Sequence, residues 1–161
     1  IIAAAMLIKT KIFKSINGYD EKYFLYYEDD DFFIKCNYLN LKLYLITNSL
    51  FSHVKYQKKN DKLKLHSTTF TNKDEKDSTF FVGGWHGQWS KFYYTKKNKG
   101  FFIALLKCLP GLFLNLIQIL PYILINPTKA KYKYYKIEGF LCSLIGMPSF
   151  KRSKFDKKYI Y

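Results

Sequence analysis

The order of its elements predicts an α/β domain that gives way to a set of amphipathic, membrane-associating helices. Three observations carry this. Short apolar runs alternate with helical patterns through residues 1–54, around one acidic cluster, Glu28-Asp29-Asp30-Asp31. The net charge of +15 falls wholly behind that block. The longest uncharged apolar stretch, residues 108–125, also lies in the rear.

Residues 1–8 are continuously apolar, which suits a buried strand. Thr10 can cap a short helix carrying Ile12, Phe13 and Ile16 on one face, and Gly18 is placed to end it in the left-handed conformation. The acidic run opens a second helix, predicted from about Asp29 to Leu39, which Asn40 breaks. Residues 42–46 and 49–54 read as strands. Strand, helix, loop, helix, strand, strand is an α/β or α+β order. Residues 55–82 are polar and without period, and read as a connector.

Residues 83–161 form a basic-aromatic helical region. Trp85, His86 and Trp89 open it, followed by the aromatic-basic run 91–98. Amphipathic rings beside lysines settle at headgroup level, which points to interfacial helices. His86 could contact an acceptor or a lipid phosphate, or simply pack. The uncharged stretch 108–125 barely reaches spanning length, and Pro110, Gly111, Asn115, Gln118 and Pro121 interrupt it. Asn115, Gln118 and Tyr122 share one helical face, which favours a helix lying in the membrane plane over one that crosses. Residues 129–136 and 137–147 repeat the basic-then-apolar order, and the tail 151–161 is basic again.

Charge narrows the partners. Residues 1–54 carry six Lys against six acids, whereas residues 55–161 carry twenty Lys and one Arg against six acids. Arg152 is the single arginine, and arginine is the side chain suited to bidentate recognition of bases and phosphates. Lysine without arginine fits an anionic membrane surface and argues against nucleic acid. Cys36, Cys108 and Cys142 are widely separated and in no ligand spacing, so they read as reduced, buried small hydrophobes.

The acidic run is the candidate chemistry. Four consecutive carboxylates repel one another, and a chain keeps them where a cation, a helix N-terminus or a proton transfer offsets the cost. On residue type alone, a charged first helical turn is the better explanation of the run.

The flanking pattern adds to this reading. Ala4-Ala5-Met6-Leu7-Ile8, Phe13, Gly18-Tyr19-Asp20-Glu21 and Phe24-Leu25-Tyr26-Tyr27-Glu28-Asp29-Asp30-Asp31 follow in register, and Lys35, Leu41-Lys42-Leu43-Tyr44 and His53 continue the series. Together they resemble the C-terminal half of the catalytic domain of family 2 glycosyltransferases, especially rhamnosyltransferase-like enzymes of bacterial surface polysaccharide synthesis. The resemblance implies the acceptor-side half of a GT-A fold over residues 1–54. It also implies an inverting transfer from a nucleotide-sugar donor to a saccharide or lipid-linked acceptor. It places Asp29 as catalytic base with Glu28 beside it, His53 near a divalent cation (Mn or Mg), and Asp31, Tyr27 and Met6 around the substrate. The donor-binding half, with its Asp-x-Asp motif, would lie upstream of Ile1, so the 161 residues alone are expected to transfer no sugar. The implied location is peripheral, on the cytoplasmic face of the bacterial inner membrane. The alternative is a non-catalytic basic module that binds membrane surfaces.

Overall fold

A computed structural model of the chain describes residues 6–46, 48 and 80–149, and its regular elements are helical throughout. They are α1 (Thr10–Ser15), α2 (Glu28–Tyr38), α3 (Gly87–Lys99), α4 (Phe101–Ile125) and α5 (Pro127–Leu144). A π-helical turn, Val82–His86, runs directly into α3.

This corrects the α/β expectation. Among the described residues there is no strand and no sheet, so the part of residues 1–54 that is described does not form the predicted GT-A half-domain. Residues 6–8 and 42–46 have strand-like composition but irregular backbone. A strand is stable only when a neighbour takes its N–H and C=O groups, and no such neighbour stands beside either run among the described residues. Residues 49–54 lie outside the described residues, as does most of the connector.

The two front helices fall where periodicity put them, but Thr10 does not cap α1: Lys9 stands at the N-cap and no side chain bonds there. Helix α1 ends as its Gly predicts: Gly18 adopts φ +54° and donates its N–H to the Phe13 carbonyl at 2.9 Å. A Cβ there would strike the Phe13 ring, so the turn needs glycine for space as well as for φ. Helix α2 turns Phe32 and Cys36 inward against Ile16, with Ile8, Phe13, Tyr19, Phe33 and Leu41 closing the cluster.

Behind them, α3, α4 and α5 pack against one another in every pairing. Phe92 of α3, Ala104 and Cys108 of α4 and Phe140 of α5 form one core. Phe81, Trp85, Trp89 and Cys142 form a second, between the π turn and α5. Gly139 lets α5 approach the π turn, since a Cβ there would collide with the Trp85 carbonyl. Gly100, at φ +91° and ψ 161°, separates α3 from α4 in a conformation open essentially only to glycine. Asn126 caps α5 by accepting the Lys129 N–H at 3.1 Å, and Pro127 follows at the first helical position. The three cysteines are buried and none is in a disulfide among the described residues.

Helix α4 runs unbroken for 25 residues through both Pro110 and Pro121. Each proline deletes one N–H donor, yet its fixed φ near −65° is itself helical. The residues expected to interrupt the run are absorbed into it.

Candidate functional site at the first turn of α2

The acidic first turn is held by α3. Ahead of it, residues 18–27 form an irregular loop lying across that helix. Ser90 donates to the Leu25 carbonyl at 2.7 Å, and Tyr93 donates to Asp20 at 3.0 Å. Phe24 packs on His86, Tyr23 on Tyr93 and Tyr27 on Tyr94, with ring centroids 4.9–5.0 Å apart. At the far end Ser149 donates to the Lys22 carbonyl. The loop and α3 are one packed unit.

Lys97 fastens it. Its ammonium donates to Asp20 Oδ2 at 2.6 Å and to Asp31 Oδ2 at 2.7 Å, bridging the start and the end of the acidic segment. Asp31 is 1 % exposed, and Asn98 and Tyr23 also donate to it, at 3.3 and 3.4 Å. Burial opposes ionisation of Asp20, but hydrogen bonds from Lys97, the Lys22 N–H and Tyr93 outweigh it and hold its carboxyl below the usual range. Burial likewise works against the Lys97 charge, and its two carboxylate partners overcome that and raise its pKa. Tyr23 and Tyr93 titrate well above an ordinary phenol, first from burial and then from the facing carboxylates.

The clamp has a backbone consequence. Tyr26 and Tyr27, neither of them glycine, both adopt left-handed conformations, with φ of 68° and 66°. Such residues cost on the order of 1–3 kcal/mol each and persist where surrounding contacts over-determine them. Here the contacts are those of α3. The paired turn aims α2 so that Glu28 and Asp29 open its first turn, with Tyr27 at the N-cap. Asp29 is half-buried and accepts the Asp30 N–H at 2.9 Å. Glu28 is also half-buried, and its Oε2 is enclosed without a hydrogen-bond partner among the described residues. An enclosed acceptor left unmatched is unusual in a folded chain and marks strain or a group awaiting a ligand.

The sequence-derived site residues therefore separate. Glu28 and Asp29 stand together at the strained first turn. Asp31 is engaged within the protein by Lys97, and Tyr27 by Tyr94. Met6 is exposed in the irregular segment before α1. His53 lies outside the described residues, and among those described no group of His, Cys, Asp or Glu converges as metal ligands. His86 is 1 % exposed among Phe24, Phe81 and Trp85, so packing is its role. The sequence reading missed Lys97, Asp20 and Tyr93. Buried Asp31 and half-buried Asp20 take their cation from the run 91–98, a pairing across 77 residues that no local pattern in the sequence signals.

No family model matches the chain, and neither a curated protein nor a solved structure matches it.

Proposed function

We propose that the chain is the acceptor-side part of a glycosyltransferase, with Asp29 as catalytic base and Glu28 beside it. The single observation that carries this reading is the first turn of α2, where two half-buried carboxylates follow two strained tyrosines and one carboxylate oxygen is enclosed without a partner. The spaced series of residues around that turn, rather than any sheet, ties it to sugar transfer. An acceptor hydroxyl attacking an anomeric carbon must lose its proton as the new C–O bond forms and the bond to the nucleotide diphosphate breaks. A positioned carboxylate takes that proton. Clamping of Asp20 and Asp31 by Lys97, with the α3 rings against the loop, holds the backbone turn from which Asp29 projects, and a held turn is what proximity catalysis requires. In this proposal the nucleotide-sugar donor and a divalent Mn or Mg ion are held by other parts of the enzyme. The acceptor is a saccharide or lipid-linked saccharide at the cytoplasmic face of a bacterial inner membrane.

The test is transfer from labelled nucleotide-sugars to a lipid-linked saccharide by the protein in its natural full-length form. Asp29→Asn is expected to lower turnover by about 10²- to 10⁴-fold, with unchanged circular dichroism and unchanged vesicle binding. An unchanged rate removes the base assignment. A second reading, a non-catalytic module that binds membrane surfaces, is favoured by the exposed apolar face of α4. It predicts vesicle binding and no transfer by any form of the protein.

A further inference from the structure

Helix α4 is amphipathic in the reverse sense to a helix of a water-soluble protein. Its half-buried side, in line with buried Ala104 and Cys108, carries Asn115, Gln118 and Tyr122. Its outward side is an unbroken apolar stripe at helical spacing: Phe102, Leu106, Phe113, Ile117, Leu120 and Leu124, from 59 to 86 % exposed. Of its 25 residues only Ala104 and Cys108 are buried. A face of this size on a monomer in water would be an aggregation liability.

What covers it is argued from charge and geometry. Lys96 and Lys99 precede the helix, and Lys129, Lys131 and Lys133 follow it, so each end is cationic even with Lys97 engaged by Asp20 and Asp31. Glu138 is the lone acid in residues 83–149. A second copy of the chain would set these lysines against their own kind, whereas an anionic bilayer offers phosphate at both ends and hydrocarbon between. The helix is about 37 Å long, enough to cross, but its inner side is occupied along its length by α5, which carries Lys129, Lys133, Lys136 and Glu138. A crossing would take those charges into hydrocarbon.

We propose that α4 lies in the plane of an anionic bilayer, its Phe102–Leu124 stripe among the upper acyl chains and the lysines at its two ends on headgroup phosphates. This does not depend on sugar transfer. On α5 the lysines crowd one another: burial and then the neighbouring Lys136 and Lys129 lower the Lys133 pKa.

The experiment floats the full chain with vesicles of phosphatidylcholine alone or with phosphatidylglycerol, and reads depth from an environment-sensitive dye at Leu106→Cys or Leu124→Cys. The native cysteines are buried. Binding is expected to need the anionic lipid and to weaken with salt. Ile117→Asp should lower it by at least about tenfold, and Lys129→Ala by about fivefold, with circular dichroism unchanged. Both dyes should be quenched equally, by shallow lipid-borne quenchers. Flotation indifferent to Ile117→Asp, a dye reached only from the opposite leaflet, or a stable dimer in solution that ignores vesicles would each overturn the proposal.

Discussion

Lys97 and Lys133 are the same side chain on helices that pack together, and the protein uses them in opposite ways. Lys97 on α3 reaches two carboxylates at 2.6 and 2.7 Å and is held charged by them. Lys133 on α5 is disfavoured in its charged form by burial and by Lys136 and Lys129. One positive charge is satisfied inside the fold, while the other is kept against the fold's electrostatic interest. The contrast separates a cation that holds the protein together from one that, crowded by other lysines on its helix, gains by meeting an anionic partner.

The contrast breaks most completely at Lys97. Lys97→Met removes the bridge and leaves the Asp31 carboxylate buried without its cation. The expected destabilisation is about 3 kcal/mol, the low end of the range for breaking a buried pair from one side because Lys97 is partly exposed, read as a shift in the urea midpoint. The pH dependence sharpens it. The Asp20 pKa is lowered on folding, so its contribution is present above the unfolded carboxyl value and is lost as pH falls through the lower folded one. The Lys97 pKa is raised, so its contribution is present below the unfolded ammonium value and is lost as pH rises through the folded one. Wild-type stability should therefore hold a plateau between about pH 5 and 9, and Lys97→Met should flatten its acid edge. A midpoint unmoved by the substitution would show that the bridge contributes nothing net.

A smaller effect tests whether the two helices are one body. Gly139 of α5 lies against the Trp85 carbonyl of the π turn that leads into α3. Gly139→Ala forces backbone apart and should cost about 1–3 kcal/mol, as overpacked cores do. Gly83, by contrast, has nothing within 4 Å of an added Cβ, which makes Gly83→Ala the control. If the two alanines behave alike, the close approach of α5 and the π turn is wrong.

Residues with local signals were legible before any coordinates. Gly18 ends α1 as its position predicts, and the acids of α2 open its first turn, because caps and periodicity are properties of a few neighbours. The strands at 6–8 and 42–46 failed because β structure requires a partner that composition does not reveal. Pro110 and Pro121 were read as breaks although a helix can carry them. At the candidate site, Glu28 and Asp29 were legible from the carboxylate run. Lys97 and Asp20 were not, since their pairing spans 77 residues and no local pattern encodes it. Neither were the left-handed Tyr26 and Tyr27, because tyrosine carries no preference for that conformation.

The least effect is expected at Lys133 itself, and it has the most informative sign. Lys129, Lys133 and Lys136 are spaced four and three apart on one helix, where like charges repel by about 0.2–0.5 kcal/mol per pair. Lys133→Gln relieves two such pairs and should raise stability by a few tenths of a kcal/mol, most visibly at low ionic strength, where screening is weakest. The gain should vanish at alkaline pH, because the wild-type Lys133 pKa is lowered by folding and its penalty disappears as the group loses its proton. The same substitution should weaken binding to anionic vesicles while leaving Lys97-dependent stability intact. A variant that is more stable yet binds lipid less well would show that the crowded charge serves the bilayer. Loss of stability on removing Lys133 would instead place it with Lys97, among the cations that hold the protein together.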